Sequence, residues 1–188
     1  SRWEAPRQPA SYTMAPSICL VAQGAQRVWL GEEEFVYDAS HSLVNSVDVP
    51  VVAQVIEASR ERPFLGLVLE LDQRAIAQMM VDSNLPLPRV QETSRAIAIS
   101  EVSLSLLNAF QRLIDLLDDP GDIPILAPLI QREILYRLLV GEQGPRLRQI
   151  SAAGSQSHEI ARAEGQTSGL AATRSRHAKR HSGVACCR

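Results

Sequence analysis

The sequence predicts an α+β domain, with an antiparallel sandwich or small barrel first and a helical region after it. Three observations carry that prediction. Short, mostly apolar runs bounded by turn residues recur about every ten residues between positions 17 and 71, the spacing of an all-β unit. Beyond residue 101 the apolar positions change to i, i+3/i+4 spacing. Strands first and helices second, without alternation, exclude a doubly wound parallel sheet.

The strands follow in order. Ser17–Gln23 is an apolar run stopped at Gly24. Arg27–Leu30 and Phe35–Tyr37 flank Gly31-Glu32-Glu33-Glu34, which reads as a hairpin with an acidic turn. Ser42–Ser46, Val51–Ala58 and Phe64–Leu71 complete the set, with Pro50 and Pro63 at strand starts or turns. Val51-Val52-Ala53 and Val55-Ile56 are mostly β-branched, the pattern of a strand buried on both faces.

The helices obey their own signals. Asp72 is placed to N-cap a short helix through Asp82, and 83–88 is a loop. Leu106, Leu107, Phe110, Leu113, Ile114 and Leu117 form one helical stripe, ended by Asp118-Asp119-Pro120-Gly121-Asp122. A further helix is predicted from Pro128 to Val140, with Pro128 in its first turn and Gly141 just past its end. Arg146–Ile150 and His158–Ala163 have helical propensity, and apolar periodicity stops after Ala163. The expected division is an N-terminal arm over 1–14, a domain over 15–150 (strands to about 71, helices after) and a disordered basic tail over 164–188.

With 188 residues, 45% hydrophobic and 21% charged, the chain is long enough to bury one core and too apolar to be disordered throughout. Charge is uneven. Residues 1–150 carry 13 arginines against 19 carboxylates, a net of −6, while 151–188 carry 6 basic groups against 2 acidic, a net of +4. The cluster Arg174–His181 could touch phosphate electrostatically, but it has no aromatic residue and no apolar helix to orient it, so a solvated tail is the better reading. No apolar window is long enough to span a membrane, and no secretory signal pattern opens the chain. Three cysteines, with Cys19 inside an apolar run and Cys186-Cys187 adjacent, make no disulfide framework, so a reducing cytoplasm is the expected compartment.

Candidate chemistry is sparse. His41 is the one histidine in the strand region, too few for a catalytic metal centre, so no metal and no cofactor are expected. No Gly-x-Ser-x-Gly turn or phosphate-cradling glycine loop occurs, and Cys19 reads as an inert core thiol, so no catalytic residue is assigned. The polar residues inside apolar strands, Gln23, Asn45, Gln54 and Glu70, are the candidates to line a ligand pocket. Alternatively they face solvent or are satisfied by neighbours, and period 2 alone leaves both open. Leu129, Ile130, Ile134, Leu135, Leu138 and Leu139 give the 128–140 helix more apolar surface than one packing face uses. Either the preceding helix absorbs the surplus or a partner does, and the partner surface is the reading preferred here.

Several segments taken together resemble a known family: APSICLVAQG over 15–24, RVWLG over 27–31, SVDVP over 46–50, DIPILAPLIQREILYRLLVG over 122–141 and QGPRLRQ over 143–149. They resemble the N-terminal domain of one group of AraC-type bacterial transcription regulators, from about residue 15 to 163. The resemblance implies a cupin-like antiparallel β-barrel followed by a helical dimerisation region, used to sense a small-molecule effector. It implies a homodimer in which DNA is read only through the C-terminal helix-turn-helix domain of a full-length relative. Residues 151–163 resemble the linker and first helix of that domain. Departure from the family pattern after Ala163 is expected to reflect a truncated or frameshifted product. The alternatives to a truncated sensor are a small cupin-fold enzyme, which would need ligands the sequence lacks, and a non-catalytic small-molecule binding protein.

Overall fold

A computed structural model describes residues 1–86 and 96–148. Its strands are β1 (Arg2–Trp3), β2 (Ala10–Met14), β3 (Ser17–Gln23), β4 (Ala25–Leu30), β5 (Glu33–Asp38), β6 (His41–Asn45), β7 (Val49–Glu57), β8 (Phe64–Glu70) and β9 (Ile97–Glu101). The helices are α1 (Gln73–Asp82), α2 (Leu104–Asp115) and α3 (Ile123–Val140), with a 3-10 turn over Pro120–Asp122. Two antiparallel sheets form, one ordered β1-β8-β3-β6-β9 and the other β2-β7-β4-β5.

The sheets stack face to face and the helices lie on the outer face of the five-stranded one. Alternation along β3 shows how. Cys19 and Val21 point into the space between the sheets with Val28, Leu43 and Phe64, while Ile18 and Leu20 pack under the helices with Ile76, Phe110 and Ile134. β3 and β6 are therefore the strands buried on both faces, not the 51–56 run. On β7, Val51, Ala53 and Val55 are buried and the intervening residues are only half-buried. Among the described residues no helix packs on the outer face of the four-stranded sheet, which is why β7 keeps one half-exposed side.

Local chemistry sets the corners. Gly24 alone joins β3 to β4 and passes the chain from one sheet to the other, with φ of +86°. A Cβ there would stand 2.3 Å from the Glu57 carbonyl oxygen, so no other residue fits. The Asp72 carboxylate accepts a 2.8 Å hydrogen bond from the Arg74 N–H and caps α1 as the sequence predicts. Asn84, at φ 47°, turns the chain away from the end of α1.

The α+β class and the strand-then-helix order stand, and four details are corrected. The sheets do not close into a barrel: each keeps two edge strands, because the chain crosses between them at corners instead of continuing one ladder. The 1–14 segment is not a free arm, since β1 pairs with β8 and β2 runs the length of Ala10–Met14 against β7. The strand set does not end near 71. Ile97–Glu101 returns as β9 beside β6, so α2 begins at Leu104 with Ser103 as its cap. The last helix starts at Ile123, with Pro124 in its first turn and Pro128 inside it. Residues 144–148 form a further helical turn. The segments 151–163 and 164–188, His158, His177, His181, Cys186, Cys187 and the end of the 83–88 loop lie outside the described residues.

Candidate functional site

The four polar strand residues are not brought together. Asn45 is fully buried on the inner face of β6, and its Nδ2 donates to the carbonyl oxygens of Met14 and Ala15, each at 2.9 Å. It pins the corner between β2 and β3. Gln23 donates to the Pro63 carbonyl at 2.7 Å and borders a small cleft of about 160 Å³ at the end of the sandwich. Gln54 is half-buried on β7, in register with Arg27 of β4. Glu70, exposed at the end of β8, lines a larger cleft.

Between the sheets the space is filled by side chains. Val28, Leu43 and Ile97 are 0% exposed and Phe64 is 1% exposed. The buried Tyr37 hydroxyl donates to Gln26 Oε1 at 3.1 Å. Burial pushes the Tyr37 phenol well above its ordinary range and raises the Cys19 thiol, where Ser17 and Tyr37 hydrogen bonds only partly offset the rise. Neither group is suited to proton transfer or nucleophilic attack near neutrality. His41 pairs with Asp38 at 3.1 Å, and among the described residues no three His, Cys, Asp or Glu side chains converge.

Three openings of a size to hold a small molecule lie in the helical layer. One, of about 430 Å³, sits between the end of β8, α1 and α3, with Leu69, Met79, Leu129 and Leu135 as apolar walls and Glu70, Asp72 and Arg132 as charged ones. Another, of about 280 Å³, lies among β6, β9 and the facing ends of α2 and α3, lined by Ser42, Ser100, Ser103 and Arg137. A shallow groove of about 410 Å³ between α2 and α3 presents Leu116, Leu126, Leu129 and Ile130. Leu129 lines both that groove and the first cleft.

Charged clamps fix α3 in this layer. Glu133 is bound by Arg112 of α2 and by Arg137 one turn on, at 2.6 Å, and these two arginines hold its carboxyl below the usual range. Arg132 pairs with Asp82 at the end of α1, and with Gln78 it lowers the Asp82 carboxyl likewise. Of these pairs only Glu133–Arg137, at i,i+4 on one helix, is legible in the sequence. Asp82 and Arg132 are 50 residues apart, and only the packing of α1 on α3 makes them neighbours.

The six apolar residues of α3 divide unevenly. Ile130, Ile134, Leu135, Leu138 and Leu139 are buried in the chain's own core, whereas Leu129 is 59% exposed. The exposed large apolar positions of α3 are Ile125, Leu126, Leu129, Tyr136 and Val140, joined by Leu104, Leu107 and Ile114 of α2 and by Leu117 just past its end. Residues 126, 129, 133, 136 and 140 run at i, i+3, i+7 spacing down one side of the helix, opposite to the core-facing set. Reading Pro124 as the first-turn proline would have revealed that stripe, because it extends the helix by a turn.

No curated protein matches the chain. Among solved structures, an apo variant of ToxT from Vibrio cholerae is 7% identical with a TM-score of 0.46, over 61% of this chain and 45% of that one. Wild-type ToxT from Vibrio cholerae with unsaturated fatty acid bound is 8% identical with a TM-score of 0.39, over 72% of this chain and 48% of that one. The chain thus spans less than half the length of these solved proteins. The family described as AraC-type transcriptional regulator N-terminus matches residues 1–146, which includes both sheets and all three helices. On that match the chain belongs to the AraC-type transcriptional regulators, as their N-terminal regulatory portion.

Proposed function

We propose that this chain is the effector-sensing and dimerising module of an AraC-type regulator, non-catalytic and acting in the cytoplasm. In this reading a second copy docks on the α2–α3 face, and DNA is contacted only through the C-terminal domain of a full-length relative. The observation that carries it is the division of α3 into two apolar faces. One is spent on the chain's own core, and the other, with Ile125 at 69% and Leu129 at 59% exposure, is left in solvent beside the exposed leucines of α2. Surface leucines in such a row are unusual on a monomer, and a helix pair offers the self-complementary patch that a two-fold dimer requires. The clefts next to this face supply room for a small effector.

Two measurements test this. Sedimentation equilibrium of the full chain is expected to show a concentration-dependent dimer, and a monomer throughout the accessible range rejects the reading. A thermal-shift screen of small organic molecules is expected to yield ligands that raise the unfolding temperature, as binding to the native state must.

A further inference from the structure

We infer that the cleft between β8, α1 and α3 is the ligand site, and that it takes a small amphipathic molecule with an ammonium head. This inference rests on the ligand-sensing reading above and adds a place and a ligand class to it. Size and walls come first. About 430 Å³ lined by Leu69, Met79, Leu129 and Leu135 suits a short apolar body, and Met79 can adapt its shape to it. The space between the sheets is less suitable, because Val28, Leu43 and Ile97 already occupy it fully buried.

The sign of the head group follows from the charges. Two carboxylates, Glu70 and Asp72, line the cleft with one guanidinium, Arg132. Arg132 is already matched by Asp82, and Asp72 spends one oxygen on the α1 cap. Glu70 has no ion-pair partner among the described residues. A cation entering with its apolar tail between Leu69 and Leu129 brings its charge to Glu70, whereas an anion would face an uncompensated carboxylate.

The test titrates the full chain with hexylamine, hexanol and hexanoate at neutral pH while following backbone amide signals. Hexylamine is expected to shift the signals of Leu69, Met79 and Leu129, with hexanol binding more weakly and hexanoate weakest. Glu70→Gln, at an exposed position that should not disturb folding, is expected to weaken hexylamine about fivefold and to leave hexanol unchanged. Gln131→Trp, exposed on the α3 wall, is expected to fill the cleft and abolish binding of both. Hexanoate binding as tightly as hexylamine, or an amine affinity indifferent to Glu70→Gln, overturns the inference. So does absence of binding by all three probes. Shifts at Val28 and Leu43 instead would overturn the cleft and leave the ligand-sensing reading standing, while a screen without any ligand would reject that reading itself.

Discussion

Asn45 shows what a buried polar side chain does in this sandwich. Its amide holds two carbonyl oxygens, of Met14 and Ala15, at the corner where the chain leaves one sheet and enters the other. Asn45→Ala would leave both acceptors without that donor in a dry environment, and is expected to cost about 2–4 kcal/mol. Urea unfolding measures this, and a loss below about 1 kcal/mol would mean that the β2–β7 ladder holds the corner unaided. Cys19 illustrates the opposite case, a reactive group made inert by its surroundings. Because burial raises its thiol pKa, it is expected to resist alkylation at mildly alkaline pH until the domain unfolds. Peptide mapping after a short iodoacetamide pulse checks this, with native-state labelling at Cys19 as the contrary result.

At the scale of elements, α3 is tied down by ion pairs as well as by its apolar core face. Glu133 and Asp82 have carboxyl pKa values lowered in the folded chain by Arg112, Arg137 and Arg132. A carboxyl lowered on folding stabilises the native state above its ordinary value, 4.5 for Glu133 and 3.8 for Asp82. That contribution is lost as pH falls through the lowered folded value. The melting temperature is therefore expected to drop on acidification below that range, and to drop less in Glu133→Gln. An identical acid profile for the variant would show that the clamp contributes nothing. These groups are at least partly open to solvent, so added salt is also expected to shrink the difference.

For the whole molecule, the arrangement of three layers decides which apolar surface remains for a partner. Helices cover one sheet, the second sheet covers its other face, and the outer stripe of α3 is left over. Burying residues such as Leu126 and Leu129 on association contributes about 1.5–3 kcal/mol each, against the entropic cost of pairing. Leu129→Glu is expected to shift the dimer to monomer with an unchanged circular dichroism spectrum. Ile134→Glu, at a position 0% exposed, is expected to unfold the chain. If Leu129→Glu leaves the dimer intact, the copies meet elsewhere.

The sequence by itself determined the elements whose signals are local. Ser17–Gln23 is a strand by its apolar run and its glycine stop, and the first helix follows directly from the Asp72 cap. Period 2 followed by period 3.6 was enough for the α+β class, and the long 122–149 segment was enough for the family. Tertiary structure alone decided what depends on neighbours distant in sequence. β9 is a five-residue strand that only its ladder with β6 identifies, and the arm became β1 and β2 because β8 and β7 offered free edges. Of the four polar strand residues, Glu70 lines the 430 Å³ cleft and Asn45 is committed to the backbone. Alternation says that two residues face opposite ways, but which way is inward depends on what packs there, and that is a property of the assembled layers.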